Sequence, residues 1–148
     1  MLLRSLEAPN ANLSQIHLPY AHLVEANLQG ADLREANLQG VDFTGASLQG
    51  ANLQKANLRG ANLRGANLQQ ANLRDTDLTG ANLQDANLQG ASLRSAELWK
   101  TQFLGADLTN AELKWAELQG SELNGAKLYH TTMPDGSIEQ QAIEYWVS

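Results

Sequence analysis

The chain has no cysteine among its 148 residues, which excludes a disulfide framework, a thiolate metal site and a cysteine nucleophile. Aromatic residues make up only 5% of it. They are not interleaved with basic side chains, as a base-stacking nucleic-acid surface requires. The net charge of -6 is also the wrong sign for a phosphate backbone, so no direct nucleic-acid partner is expected. No apolar run approaches the roughly 18 residues of a membrane helix. The opening residues, "MLLRSLEAPNA", are interrupted by Arg4, Glu7 and Pro9 before a signal-peptide core develops. These absences lead to the expectation of one soluble, cytoplasmic domain with no membrane contact.

What the chain has instead is one five-residue word, A-N/D-L-x-x. From Leu13 to Met133 every fifth residue is Leu, except Phe43, Phe103 and Met133, over twenty-five positions without a slip. Two residues earlier stands Ala, relaxed only at Ile16, Val41, Thr76, Thr101, Ser121 and Thr131. An α-helix turns about 100° per residue, so leucines five apart would spiral around it without forming a stripe. In a flat strand an odd spacing sends successive leucines to opposite faces. Both conflicts vanish if the chain bends once per word, so that each Leu and its Ala point to one interior. Eleven of the twelve glycines, Gly30 through Gly125, stand two residues after the leucine, where a tight turn with positive φ favours Gly. The Asn or Asp before the leucine has a side chain suited to nearby backbone groups and to ladders of stacked amides.

The word and its regularity from Ala11 to about Met133 resemble the pentapeptide-repeat family. The resemblance implies an all-β fold, a right-handed quadrilateral parallel β-helix with four words to a coil. Ala11 to His130 then gives about six coils and a rod roughly 29 Å long at the spacing of neighbouring strands. Residues 1–10 are expected as an irregular N-terminal cap, 11–133 as the β-helix and 134–148 as a C-terminal turn and cap. Pro134-Asp135-Gly136 reads as the turn. Ser137 with Gln140 reads as a capping box, and Ile138, Ala142, Ile143 and Trp146 share a helical face, so a short capping helix is expected. The close "MPDGSI" also resembles cyanobacterial members of the family.

With residues 20 apart stacked, the outward positions sort into columns. Glu35, Lys55 and Asp75 form one of alternating charge, read as a structural ladder. Arg34, Arg74, Arg94 and Lys114 form a basic column, read as a solvated wall balanced by neighbouring carboxylates. Asp77, Glu97 and Glu117 stack like charges. The bland reading of that column is solubilising charge. Its sharper reading follows from the resemblance, since some family members inhibit DNA gyrase by mimicking DNA. Residues 1–95 carry seven basic and eight acidic groups, whereas residues 96–148 carry three and eight. The acidity therefore lies in the C-terminal third, where the aromatics also gather. Trp99, Leu104, Trp115 and Tyr129 occupy outward positions, with Tyr145 and Trp146 in the tail, and these six are the candidate interface or cap contacts.

Catalysis requires ionisable groups converging in a concave, partly dry site. A Leu- and Ala-filled rod presents none, His17 and His22 leave adjacent walls, and His130 lies far from both. No catalytic residue, metal or cofactor is therefore expected. The leading functional reading is a non-enzymatic scaffold for a protein partner, with a homodimer through the C-terminal end as one form. The alternative is a DNA-mimic inhibitor of gyrase or a related topoisomerase.

Overall fold

The computed structural model describes residues 1–140. Every word bends at its fourth and fifth positions, and its second position pairs in parallel with the residue 20 further on. Four walls result, named I to IV here by the words that open at Met1, Leu6, Ala11 and Ile16. Their bridging columns run Leu2 to Glu122, Glu7 to Lys127, Asn12 to Thr132 and His17 to Glu117.

The first and third positions of each word point inward. From Ala21 to Leu113 they form one continuous buried column of Ala, Leu, Val, Phe and Thr. Each buried leucine contributes roughly 2 kcal/mol by leaving water. Phe43 and Phe103, which replace leucine on wall I, are fully buried. Thr76, Thr101 and Thr131, which replace alanine, satisfy their buried hydroxyls by donating to the carbonyls of Leu73, Leu78 and Leu108.

The hydrogen bonds explain why the second position is Asn. In the word Ala51 to Lys55, the Asn52 amide donates to the coil before it, at Ala31. Those of Leu53 and Lys55 donate to the coil after it, and that of Ala51 closes the corner onto Leu48. The Gln54 amide remains, and it donates to Oδ1 of Asn52 at 3.1 Å. The same bond is made by every Asn or Asp at that position, from Asn12 through Asp107. Ladders between stacked side chains also occur, as from Asn57 to Asn37 at 3.5 Å.

The glycines have a second reason beyond φ. All fifth positions from Ser5 to His130 are left-handed, and fifteen of them are not glycine, with φ of 53° to 64°. At Gly40 a Cβ would collide with the ring of Tyr20 one coil earlier. Gly30, Gly40, Gly90 and Gly105 thus also make room for the side chain of the preceding coil, whereas Gly50, Gly60, Gly65 and Gly80 face open space there.

Both ends differ from expectation. Residues 1–10 are not irregular, because Leu2 bridges His22 and Glu7 bridges Asn27, which makes them two words of the first coil. The physical reason is that the amides of Leu3, Ser5, Ala8 and Asn10 all find carbonyls on the second coil. This segment therefore does not lie across the rod's end, where an apolar recess of 120 Å³ opens between Met1, Leu3, Leu6 and Ile16. At the other end the residues expected to start a helix turn back. Ile138 bridges Thr132 in antiparallel fashion, and the Glu139 amide donates to Thr131. The free edge of wall III captures this segment before a helical turn forms. Ala142, Ile143, Tyr145 and Trp146 lie outside the described residues.

Replacing Asn67 by Ala removes the acceptor that the Gln69 amide reaches at 3.0 Å. The expected loss is about 1 kcal/mol of unfolding free energy, with the fold retained, measured by urea denaturation. An unchanged midpoint would mean that water replaces the side chain without loss.

Candidate functional site

The rule that governs the second position lapses at Leu2, Glu7, His17, His22 and Ser47, and then over a longer stretch. After Asn87, that position reads Ser92, Glu97, Gln102, Asp107, Glu112, Glu117, Glu122 and Lys127. Asp107 bonds its own corner amide, that of Thr109 at 3.0 Å, whereas Ser92, Glu97, Gln102, Glu112 and Glu117 make no such bond among the described residues. A glutamate is one methylene too long for the local ring, so its carboxylate projects from the wall and is free for other contacts. Three of the eight acidic groups of the C-terminal third arise in this way, as Glu97, Glu112 and Glu117.

Asp77, Glu97 and Glu117 do stack on wall IV, bridged in succession. They are chemically unlike one another. Asp77 pairs with Arg59 at 3.0 Å, and Glu117 accepts the indole N–H of Trp99 at 2.7 Å. Glu97 is exposed and, among the described residues, makes no ion pair. Partial burial works against the Asp77 carboxylate. Hydrogen bonds from Thr79 and Arg59, with the Arg59 charge, outweigh it and hold Asp77 below the usual carboxylate range. Asp107 is lowered against the same burial effect by bonds from Thr109 and Gln89 and by the Lys127 charge. Asp32 is lowered chiefly by the Arg34 side chain.

The same diagonal, from a fourth-position side chain to the second position of the next coil, recurs as Gln89 to Asp107 and Arg94 to Glu112. The basic column is accordingly neutralised in part, with Arg34 paired to Asp32 and Arg94 to Glu112. Glu35, Lys55 and Asp75 share a column, but among the described residues they make no ion pair with one another.

Trp99, Leu104, Trp115 and Tyr129 are all exposed, at 45%, 42%, 58% and 39%. They occupy four different corners, with Trp99 between walls IV and I, Leu104 between I and II, Tyr129 between II and III, and Trp115 between III and IV. They ring the rod and do not merge into one patch. Trp115 is covered by the chain's own cations, with Arg94 and Lys114 at 4.8 and 4.7 Å from its ring centroid. Tyr129 stacks on His130 at 3.9 Å. Tyr145 and Trp146 lie outside the described residues. His17 Nδ1 lies 3.1 Å from Asn37 on wall IV, while His22 belongs to wall I. Among the described residues no group of three His, Asp or Glu is placed to hold a metal ion, and no helix is long and apolar enough to cross a membrane. Sequence reasoning missed the exchange of Asn for Glu as a structural loss. Its signal was present, because the N/D letter of the word disappears at Glu97 while its A and L persist.

Residues 10–45, 46–85, 71–110, 86–125 and 101–133 match the family model for pentapeptide repeats, in eight copies. The chain belongs to the pentapeptide-repeat family. Its solved members imply that the coil is right-handed. A pentapeptide-repeat protein from Nostoc is 39% identical over 62% of this chain and 74% of its own, with a TM-score of 0.49. HetL, a Nostoc protein involved in the regulation of heterocyst differentiation, is 28% identical over 94% and 92%, at 0.40. QnrB1, a plasmid-mediated fluoroquinolone resistance protein, is 18% identical over 99% and 82%, at 0.52, and shares the fold. No curated protein matches the chain significantly. Two of these three relatives are cyanobacterial.

Two predictions follow from the second position. Glu97→Asn restores an acceptor for the Trp99 amide and is expected to raise unfolding free energy by about 1 kcal/mol; a drop would show that glutamate is not a compromise there. The second concerns pH. Carboxylates with depressed folded pKa values stabilise the fold above their unfolded pKa, and that contribution is lost as pH falls through the folded value. The thermal midpoint should hold near neutrality and decline below about pH 4. Asp77→Asn, which retains the corner acceptor, should make the decline shallower, and an identical slope would remove Asp77 from the cause.

Proposed function

We propose that this pentapeptide-repeat protein is a non-catalytic scaffold that binds a protein partner through the C-terminal third of its rod. The observation that carries the reading is the run of second positions from Ser92 to Lys127, where the word's Asn or Asp survives only at Asp107. The word lapses elsewhere at Leu2, Glu7, His17, His22 and Ser47, but a lapse this long, with the apolar core kept, points to shaping by something besides stability. The same run has the exposed Trp99 and Leu104, and residues 96–148, which contain most of it, carry three basic and eight acidic groups, for a net charge of -5. Charged rims around exposed aromatics suit protein recognition.

The second reading, a DNA-mimic inhibitor of gyrase or a related topoisomerase, is favoured by the stacked column of Asp77, Glu97 and Glu117. It is weakened by the pairing of Asp77 with Arg59 and by the charge density. B-DNA carries one charge per about 1.7 Å, or roughly 17 over a 29 Å rod, against a net -6 here.

The deciding experiment compares proteins retained from a lysate of the producing organism by the wild type, by Glu97→Asn/Glu117→Asn and by a control, Gln49→Ala. A discrete protein held by the wild type and the control but lost by the double variant is the expected result. Equal retention by all three would move the interface elsewhere on the rod. Sedimentation of the same proteins reads self-association through the C-terminal end. Supercoiling assays with purified gyrase would promote the second reading if inhibition were near-stoichiometric and weakened with salt.

A further inference from the structure

The two exposed tryptophans of the C-terminal third are chemically opposite. Around Trp115 the chain completes a trio of its own. The Arg94 guanidinium lies 4.8 Å from the ring centroid and is paired at 2.8 Å with Glu112, while Lys114 adds a second cation at 4.7 Å. Around Trp99 two of the three parts are present. Its indole N–H donates to Oε2 of Glu117 at 2.7 Å, which fixes the ring edge and leaves the other carboxylate oxygen unused by that bond. Glu97, in the same word, is exposed beside it on wall IV. The missing part is the cation, since among the described residues none stacks on the Trp99 ring. Lys100, its neighbour in sequence, lies instead against Gly120 one coil on.

We infer that the Trp99 corner, with Glu97 and Glu117, is a receptor for an arginine side chain presented by a partner protein. This deepens the scaffold reading above and rests on it. The guanidinium is favoured over other occupants for reasons visible in the molecule. An aromatic face attracts a cation, and a planar one best. The carboxylates at the ring edge select positive charge, and the Arg94-Trp115-Glu112 trio shows the same three groups assembled on the neighbouring wall III. Nucleic acid and acidic surfaces are repelled. Trp115 is not part of the receptor, because its own cations already occupy its ring.

The test is site-resolved. The uniformly 15N-labelled full chain is titrated at physiological salt with a blocked Gly-Gly-Arg-Gly-Gly peptide, and the indole N–H resonances are followed. Saturable movement of the Trp99 resonance in the millimolar range, with Trp115 stationary, is expected. The apparent affinity should fall about five-fold in Glu117→Gln and again in Glu97→Gln, each change removing roughly one charge-assisted contact. A citrulline peptide, isosteric but uncharged, should leave Trp99 unmoved. If Trp99 does not respond, or responds together with Trp115 and with the citrulline peptide, the receptor assignment is overturned. Such a failure, with partner capture still lost in the Glu97→Asn/Glu117→Asn variant, would leave the scaffold reading intact. Loss of both would remove the two together.

Discussion

Each word of the coil has five amide N–H groups, and the bonds between and within coils reach only four of them. The fifth, at the fourth position, faces the corner, where no carbonyl of another coil is available. A side-chain oxygen two residues back is the only acceptor the chain itself can place there, and only Asn and Asp have the right reach. This constraint accounts for the letter of the word that the hydrophobic core does not explain. Ala and Leu fill the interior, the fifth position turns left, and the second position completes the backbone's hydrogen bonding so that a corner can recur every five residues.

Function is legible against that background. A repeat this uniform presents nearly the same surface on every coil, so specificity must come from departures. The departures on the inner positions, such as Phe43 and Thr101, are absorbed by the core. Those at the second position are not, because Glu97, Glu112 and Glu117 do not supply the corner acceptor that Asn or Asp supplies elsewhere, and their carboxylates extend outward. The same substitutions set Glu97 and Glu117 on wall IV and Glu112 on wall III. Trp99 and Glu117 show how the freed groups are then recruited, by a bond between successive coils at 2.7 Å.

Much of the fold could be read from the repeat. Period five excludes a helix and a flat strand, the glycines mark the corners, and the stacking by 20 follows once four words close a coil. The site was less legible. Columns were correctly placed, as the bridges from Asp77 to Glu97 and Glu117 attest, but a column does not say which member is neutralised. Arg59 reaches Asp77 diagonally, 18 residues away, and nothing in the repeat distinguishes that diagonal from a straight stack. The ladder of Glu35, Lys55 and Asp75 failed for the complementary reason, since equal spacing along a rod does not by itself bring side chains within reach. Residues 1–10 were misread because Met1, Leu2 and Glu7 depart from the letters of the word, whereas the backbone bonds of Leu3, Ser5, Ala8 and Asn10 to the second coil tolerate the departure.

The sequence by itself determined the register, the buried positions and the location of the corners, because a five-residue period with invariant inward residues admits one way to bury them. Only the tertiary structure decided which of two similar tryptophans is already satisfied and which is open. That choice depends on the direction in which Arg94 and Glu117 extend between coils, and such diagonals are set by the stacking of turns rather than by the order of residues within them.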